Sequence, residues 1–251
     1  MILSAHQPVY LPWAGLLHKI ALADLFCYFD IAQYQTKDYN NRNKIKTNTG
    51  AIWLSVPVAS KNHFDKSVGA IALIADGWQR KHFKSIALAY QKSAYFKAHI
   101  GGLEDILVHQ TFMTLGDLNL AILRWLLAAL AIRTPIVRAS DYLFAGSKSD
   151  LVLDMCRQLG ADVYIFGAQG RDYADVASFS AAGIQPVFQD YCPPVYRQLH
   201  GDFLPCLSVI DLLFNEGPRS RAILLAGNAS RDDLLRRRAA TQSQPILEPT
   251  A

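Results

Sequence analysis

The sequence predicts an α/β fold with a mostly parallel, doubly wound (Rossmann-like) sheet and a helical insertion in the middle of the chain. Residues 2–5 and 25–29 are short apolar runs, and residues 13–23 between them carry apolar side chains at helical spacing. Residues 147–160 and 162–166 repeat a helical pattern followed by an apolar run. Because helical crossovers join parallel strands, two such units predict a parallel sheet.

The middle of the chain is predicted to be helical. A helix is expected to begin at Trp78, with Asp76 as its cap, and residues 114–130 form a later, nearly apolar helix. The pair Gly101-Gly102 is expected to break the helical run between them. Further strands are predicted at residues 52–56, 68–74, 135–139 and 184–191.

These patterns predict one main domain. We expect residues 1–226 to form a single α/β domain with the helical insertion at about residues 77–133. Residues 227–251 are polar and basic, so we expect a short helix and a partly disordered tail. Hydrophobic residues occupy 51% of the 251 positions, which is enough apolar surface for a sizeable core.

Charge and cysteine content exclude several classes of protein. Twenty-five Lys and Arg against 21 Asp and Glu leave a net charge of +4, which is too small to indicate nucleic acid binding but suits anionic small molecules. Four widely spaced cysteines form no metal-ligand motif and predict reduced thiols in a cytoplasmic protein. No signal peptide is recognisable, and the apolar run at residues 118–132 is too short to span a membrane.

Polar side chains follow the first two predicted strands. His6 and Gln7 follow residues 2–5, and Asp30 follows residues 25–29. Ligands of open parallel sheets bind beyond the carboxyl ends of the strands, and histidine exchanges protons near neutral pH. The pattern predicts a site with His6 and Asp30 as catalytic residues. The alternative is a histidine that only caps the end of a strand.

A basic, amide-rich stretch lies between the second and third predicted strands. Residues 40–44 combine three asparagines with Arg42 and Lys44, which suit a phosphate or carboxylate group. The alternative is a solvated turn. Trp53, in the third predicted strand, could stack on a base or sugar ring or could belong to the core.

Several segments together resemble the WbqC-like family of bacterial proteins. They read HQPVYLPWAGLLHKI, NNRNKIKTNTGAIWLSVPV, YQKSAYF, LGADVYIFG, FQDY and LSVIDLLFNEGP, and the resemblance spans nearly the whole chain up to about Leu225. The amino-terminal segments are the most specific. One departure is Phe166, which stands where the family pattern has serine, so any role of a hydroxyl at that position is in doubt.

The resemblance implies a pathway and a class of reaction. The family is associated with gene clusters for bacterial surface polysaccharide, including O-antigen, and for specialised metabolites. Its members are described as transferases that move glycyl or related acyl groups onto the amine of an amino sugar. The resemblance therefore implies a nucleotide sugar as substrate, with a thioester or another activated acyl donor that an acyl carrier could deliver.

Roles follow for the residues singled out above. His6 would be the general base, with Asp30 orienting the substrate, Arg42 and Lys44 binding the diphosphate, and Trp53 lining the pocket. The predicted substrate-binding set is Gln7, Tyr10, Trp13, Gln33, Asn41, Arg42, Asn43, Lys44 and Trp53. No metal and no resident cofactor are expected.

Two other functions fit the same pattern. The opening strand and helix are similar to those of nucleotidyltransferase-type folds, whose HxGH motif holds a triphosphate, which leaves an ATP-dependent amide ligase as the alternative enzyme. Trp13 and Leu16 occupy the two histidine positions of that motif, which argues against ATP. The remaining alternative is a non-catalytic protein that binds a sugar nucleotide or acts as a scaffold.

Overall fold

The computed structural model of the protein describes residues 1–61 and 65–242. Its strands are β1 (Ile2–His6), β2 (Leu25–Tyr28), β3 (Arg42–Thr47), β4 (Gly50–Ser55), β5 (Ile136–Arg138), β6 (Val163–Phe166) and β7 (Gln185–Phe188). Its helices are α1 (Ala14–Leu22), α2 (Trp78–Tyr90), α3 (Phe96–Glu104), α4 (Leu115–Ala129), α5 (Lys148–Gln158), α6 (Val176–Ala181), α7 (Val209–Glu216), α8 (Ser220–Leu225) and α9 (Arg231–Gln242).

Five of the strands form one parallel sheet in the order β5-β2-β1-β6-β7. β1 is the central strand, and its Leu3 lies opposite Leu25 of β2 on one side and Tyr164 of β6 on the other. The α/β fold and the parallel sheet predicted from sequence are confirmed.

Helices cover both faces of the sheet. On one face α1, α4 and α7 pack their apolar side chains against β2, including Phe26 and Tyr28. On the other face α5 and α6 pack against Leu3 and Tyr164. Because both faces are covered, β1 is buried along almost its whole length, which explains its continuous apolar sequence.

Residues 42–55 form an antiparallel hairpin outside the main sheet. β3 and β4 pair from Arg42 opposite Ser55 to Thr47 opposite Gly50, with a two-residue connection. So short a connection joins only antiparallel neighbours. The alternative of a solvated turn at residues 40–44 is therefore wrong, because residues 42–44 belong to β3. The core alternative for Trp53 is also wrong, because 42% of its surface is exposed.

Two further predictions of local structure are wrong. Residues 68–74 form only isolated bridges, such as Leu73 with Val58, instead of a strand. The pair Gly101-Gly102 lies within α3 and does not end it. A side chain at Gly102 would place its Cβ 2.4 Å from the Trp125 ring, so this glycine lets α3 approach α4.

Most of the predicted insertion is helical as expected. α2, α3, a π-helical turn at Asp105–His109 and α4 occupy this part of the chain. The division into one domain and a tail stays a prediction. α9 supplies the helix expected after residue 227, while residues 243–251 of the predicted tail lie outside the described residues. Within the described chain, none of the helices combines the length and apolar character that crossing a bilayer requires.

Candidate functional site

The sheet has a switch point between β1 and β6. The chain leaves β1 for α1 on one face, whereas it leaves β6 for α6 on the opposite face. Connections that diverge in this way open a crevice beyond the carboxyl ends of the two strands, where open α/β sheets bind ligands. The site predicted at the end of β1 therefore lies at the position that the topology favours.

The crevice contains a cleft with two adjoining openings, of about 290 Å³ and about 470 Å³. The smaller opening is lined by Val152 and Met155 of α5, and the larger by Trp13 and Leu16 beside and on α1. The residues shared by both openings are His6, Gln7, Lys19, Gly167 and Gln169. These polar groups therefore form the junction of the cleft.

His6 ends β1 and is partly buried at this junction. Its Nδ1 lies 2.8 Å from the backbone carbonyl of Gln7. A carbonyl can only accept, which assigns the proton of the neutral ring to Nδ1 and the lone pair to Nε2. Burial, together with the charge of Lys19, lowers the pKa of His6 to about 3. The ring is thus neutral at physiological pH and can accept a proton through Nε2.

Lys19 is the second ionisable group at the junction. It lies on the buried side of α1 with 3% of its surface exposed, and its Nζ donates to the backbone carbonyl of Ala5 at 2.9 Å. In the described chain no carboxylate lies within 4.0 Å of this amine. Burial lowers the pKa of Lys19 to about 7, so the neutral and charged forms coexist near neutral pH.

A row of aromatic rings leads from His6 to the hairpin. The ring of His6 meets Trp13 edge-on at 5.4 Å between centroids, Trp13 meets Tyr39 at 5.6 Å, and Tyr39 meets Trp53 at 5.7 Å. Beside this row the amide of Gln7 donates to the Asp38 carboxylate at 3.2 Å. Trp13 and Tyr39 line the larger opening of the cleft, whereas Trp53, a predicted pocket residue, borders neither opening.

The cations predicted to bind phosphate lie at the far end of this row. The guanidinium of Arg42 lies 4.4 Å from the Trp53 ring centroid, and Nζ of Lys44 lies 4.8 Å from it. Both therefore make cation–π contacts on the hairpin instead of lining the cleft. Gln33 is exposed and pairs with Ser67 in an isolated bridge.

The predicted amides hold the backbone in place. Asn43 donates to the carbonyl of Leu11 at 2.6 Å, and Asn41 donates to the carbonyl of Val56 at 2.8 Å. Asn40 similarly donates to the carbonyl of Pro8 at 2.9 Å. The bonds of Asn40 and Asn43 connect the segment after β1 to the start of the hairpin. These two asparagines therefore hold the backbone beside the cleft and do not line it.

Tyr10 was predicted to contact the substrate, but it does not line the cleft. Its side chain is fully buried, and its hydroxyl lies 2.9 Å from Nδ1 of His82. The tyrosine also meets Trp78 edge-on at 6.3 Å. It joins the segment after β1 to α2, which is a role in packing.

Asp30 lies beyond β2 as expected, but its carboxylate is fully engaged. It accepts hydrogen bonds from Nε of Arg138 at 2.8 Å and from the backbone and hydroxyl of Ser140 at 2.9 Å each. Only 2% of its surface is exposed, and it borders neither opening of the cleft. These contacts fit a residue that orients its neighbours, and a catalytic role for Asp30 stays a prediction.

The segment after β6 forms the opposite edge of the cleft. Phe166, at the position where serine was expected, is buried and packs on Tyr164 at 4.6 Å between centroids. Gly170 lies so close that an added Cβ would approach the Cβ of Phe166 at 2.5 Å, whereas Gly167 has open space around it. Gly170 therefore allows its backbone to pack closely on Phe166, and Gly167 leaves room within the cleft.

Several polar or aromatic cleft residues discussed above were not predicted as site residues from the sequence. They include Lys19, Asp38, Tyr39 and Gln169. A signal existed for Lys19, because it lies three residues after Leu16 on the apolar side of the predicted helix. In the chain described, no three His, Cys, Asp or Glu side chains are arranged to hold a metal ion.

Comparisons with known proteins identify two matches. The family described as the WbqC-like protein family matches residues 7–223. A protein of Mycobacterium tuberculosis, described as "Uncharacterized protein Rv1507c", is 32% identical over 212 residues, which cover 84% of this chain and 92% of that protein. No solved structure matches the chain.

Proposed function

The chain belongs to the WbqC-like protein family, and from that premise we propose that it is a transferase in bacterial polysaccharide or specialised-metabolite biosynthesis. The proposed acceptor is the amine of a nucleotide-linked amino sugar, and the proposed group is an aminoacyl (glycyl-type) or other acyl group. The observation that carries the proposal is the place of His6 at the junction of the cleft, with Nδ1 held by the Gln7 carbonyl and the Nε2 lone pair left free of that contact.

The reaction needs one proton acceptor and no redox chemistry. The sugar amine attacks the carbonyl carbon of an acyl thioester, a C–N bond forms and the C–S bond breaks. His6 accepts the proton that the nitrogen loses and then donates it to the departing thiolate. Histidine is the residue that most often transfers protons in general acid–base catalysis.

The bound substrate must strengthen this base. With a pKa of about 3, His6 is a weak base in the empty cleft. An anionic substrate beside the ring favours its protonated form and raises its pKa toward neutrality. The proposal therefore requires the diphosphate of the nucleotide sugar to lie close to the junction of His6 and Lys19.

The other residues have supporting roles. Gln7 and Asp38 would receive the polar groups of the sugar, and the ring of Trp13 would lie against it. The base would extend along the aromatic row toward Arg42 and Lys44. This arrangement is supported by the continuous contacts from His6 to Trp53.

The test is acyl transfer by the purified protein. Thermal-shift screening selects the nucleotide-linked amino sugar, and mass spectrometry then follows its acylation from an acyl-pantetheine thioester. His6→Ala is expected to lower kcat by about 10²- to 10⁴-fold, the usual contribution of a general base. His109→Ala, which changes an exposed histidine of the π-helical turn, serves as the control.

Three outcomes would contradict this proposal. Near-normal turnover by His6→Ala would remove the assigned base. Product formation that requires ATP and magnesium and releases AMP or pyrophosphate would identify a ligase instead. Binding of the nucleotide sugar without product from any activated acyl donor would identify a binding protein.

A further inference from the structure

Lys19 carries a buried amine beside the cleft, and no carboxylate of residues 1–61 or 65–242 is paired with it. Among the described residues its one hydrogen-bond partner is the Ala5 carbonyl, and Lys19 borders both openings of the cleft. Buried lysines of a stable core are normally paired with an acid, because a desolvated charge is unfavourable. An amine that is buried, unpaired and next to a cavity is suited to a negative group supplied from outside.

We propose that Lys19 is the anion-recognition residue of the cleft, and that it takes up a proton as it binds a phosphate oxygen. The anion would lie at the junction of the two openings, in reach of the Gln7 and Gln169 amides. Lysine suits this role because it offers three rotatable donors on a compact charge. The inference depends on the proposed function only in choosing a nucleotide as the carrier of the phosphate.

The surroundings of Lys19 favour one added anion. The titratable side chains that border the cleft are His6 from β1, Asp38 and Tyr39 from the segment before β3, Tyr164 from β6, Tyr173 after it, and Tyr191 and Cys206 from the segment after β7. Of these, Asp38 is the acidic one, and it already accepts from Gln7 and from the backbone of Tyr39. A phosphate would therefore supply the counterion that the described part of the chain does not.

Proton uptake follows from the charge state of the free protein. Lys19 has a pKa of about 7, so at pH 8 most molecules carry it as a neutral amine. A phosphate in contact with it favours the ammonium form and raises its pKa. Binding at pH 8 should therefore take up close to one proton, and affinity should fall by up to about tenfold for each pH unit above 8.

Isothermal titration calorimetry with uridine 5′-diphosphate (UDP) tests the inference. Titrations at pH 8 in two buffers of different ionisation enthalpy report the number of protons taken up. The phosphates of UDP are fully ionised at this pH, since the second phosphate pKa is about 6. Inorganic phosphate, titrated in parallel, distinguishes a simple oxyanion site from one that also needs the nucleoside.

The variant for comparison is Lys19→Met, which keeps the length of the buried stem but removes the amine. It is expected to bind UDP at least about tenfold more weakly, the usual effect of losing a charged hydrogen bond, and to take up no proton. Lys97→Met, which removes an exposed lysine of α3, should match the wild type. The proton count of the wild type requires no variant, so it still tests the inference if Lys19→Met fails to fold.

Opposite results would overturn the assignment. These are UDP binding without proton uptake, equal binding by Lys19→Met and the wild type, and no binding of UDP or phosphate at millimolar concentration. UDP bound through Lys19 by a protein that transfers no acyl group would refute the transferase and leave the anion site standing. The two proposals are therefore tested separately.

Discussion

The carboxylate of Asp30 joins three segments of the chain at the end of β2. It accepts from Arg138, the last residue of β5, and from Ser140 after that strand, while the backbone carbonyl of Asp30 accepts from the amide of Gly69. Arg138 in turn reaches Asp117 in the first turn of α4 at 3.0 Å. Asp30 is therefore the buried centre of a network whose outer members are partly exposed.

Asp30→Ala is expected to lower the free energy of unfolding by about 3 kcal/mol, because it leaves buried donors and one cation without their acceptor. Asp117→Ala removes the exposed partner of the same arginine and should change it by about 1 kcal/mol or less. Urea denaturation of both variants makes the comparison. Equal effects would mean that burial of Asp30 adds nothing.

At this scale the sequence predicts position better than role. His6 and Gln7 were found because polar residues at the end of a strand face the ligand side of a parallel sheet, whereas Trp13 followed from the family resemblance. The same reasoning found Asp30, whose carboxylate turns to Arg138 because a neighbouring strand brings that cation within reach. Side-chain partners that lie about a hundred residues away leave no mark on the local pattern.

Gly116 and Gly101 both lie in helices, but only Gly116 is in close contact with a neighbouring segment. Gly116 in the first turn of α4 meets the backbone of Gly69, and an added Cβ would lie 2.6 Å from its Cα. The Gly116 carbonyl also accepts from the Tyr28 hydroxyl at 2.7 Å. Gly101 in α3 is exposed and has nothing within 4 Å of an added Cβ.

Gly116→Ala is therefore expected to lower the free energy of unfolding by about 1 to 3 kcal/mol through overpacking against backbone. Gly101→Ala should raise it by up to about 1 kcal/mol, because alanine favours the helix. Thermal or urea unfolding of the pair measures both changes. A neutral Gly116→Ala would show that α4 can move away from Gly69.

The elements themselves were largely predictable where their periodicity is strong. α1, α4 and α5 carry apolar residues at helical spacing, and β1, β2 and β6 are short apolar runs. The hairpin was harder, because β3 is polar and reads like a turn. Side chains of β3 donate hydrogen bonds to backbone carbonyls or make cation–π contacts with Trp53. A hydrophobic pattern does not predict contacts of either kind.

Buried histidines make the stability of the whole molecule depend on pH. Burial lowers the pKa of His82 to about 4, and it also lowers the pKa of His18 and His99. In the unfolded chain a histidine has a pKa near 6.5. Between these values the unfolded state binds more protons, so the free energy of unfolding falls as pH falls from 6.5 toward 4.

For His82 alone this effect amounts to about 3 kcal/mol at pH 4, since each pKa unit corresponds to about 1.4 kcal/mol. His82→Gln should therefore flatten the dependence of the unfolding free energy on pH below 6.5. Urea titrations at pH 8, 6 and 5 measure it, and His109→Gln is the exposed control. An unchanged slope in His82→Gln would place the responsible groups elsewhere.

The central position of β1 also affects how the chain folds during its synthesis. Leu3 pairs with Leu25, 22 residues away, but its other neighbour is Tyr164, 161 residues away. At synthesis rates of about 5 to 20 residues per second, one edge of β1 stays open for about 10 to 30 s on the ribosome. Open apolar edges recruit other strands. The strand that ends at His6 is therefore where a nascent chain most needs the protection of chaperones.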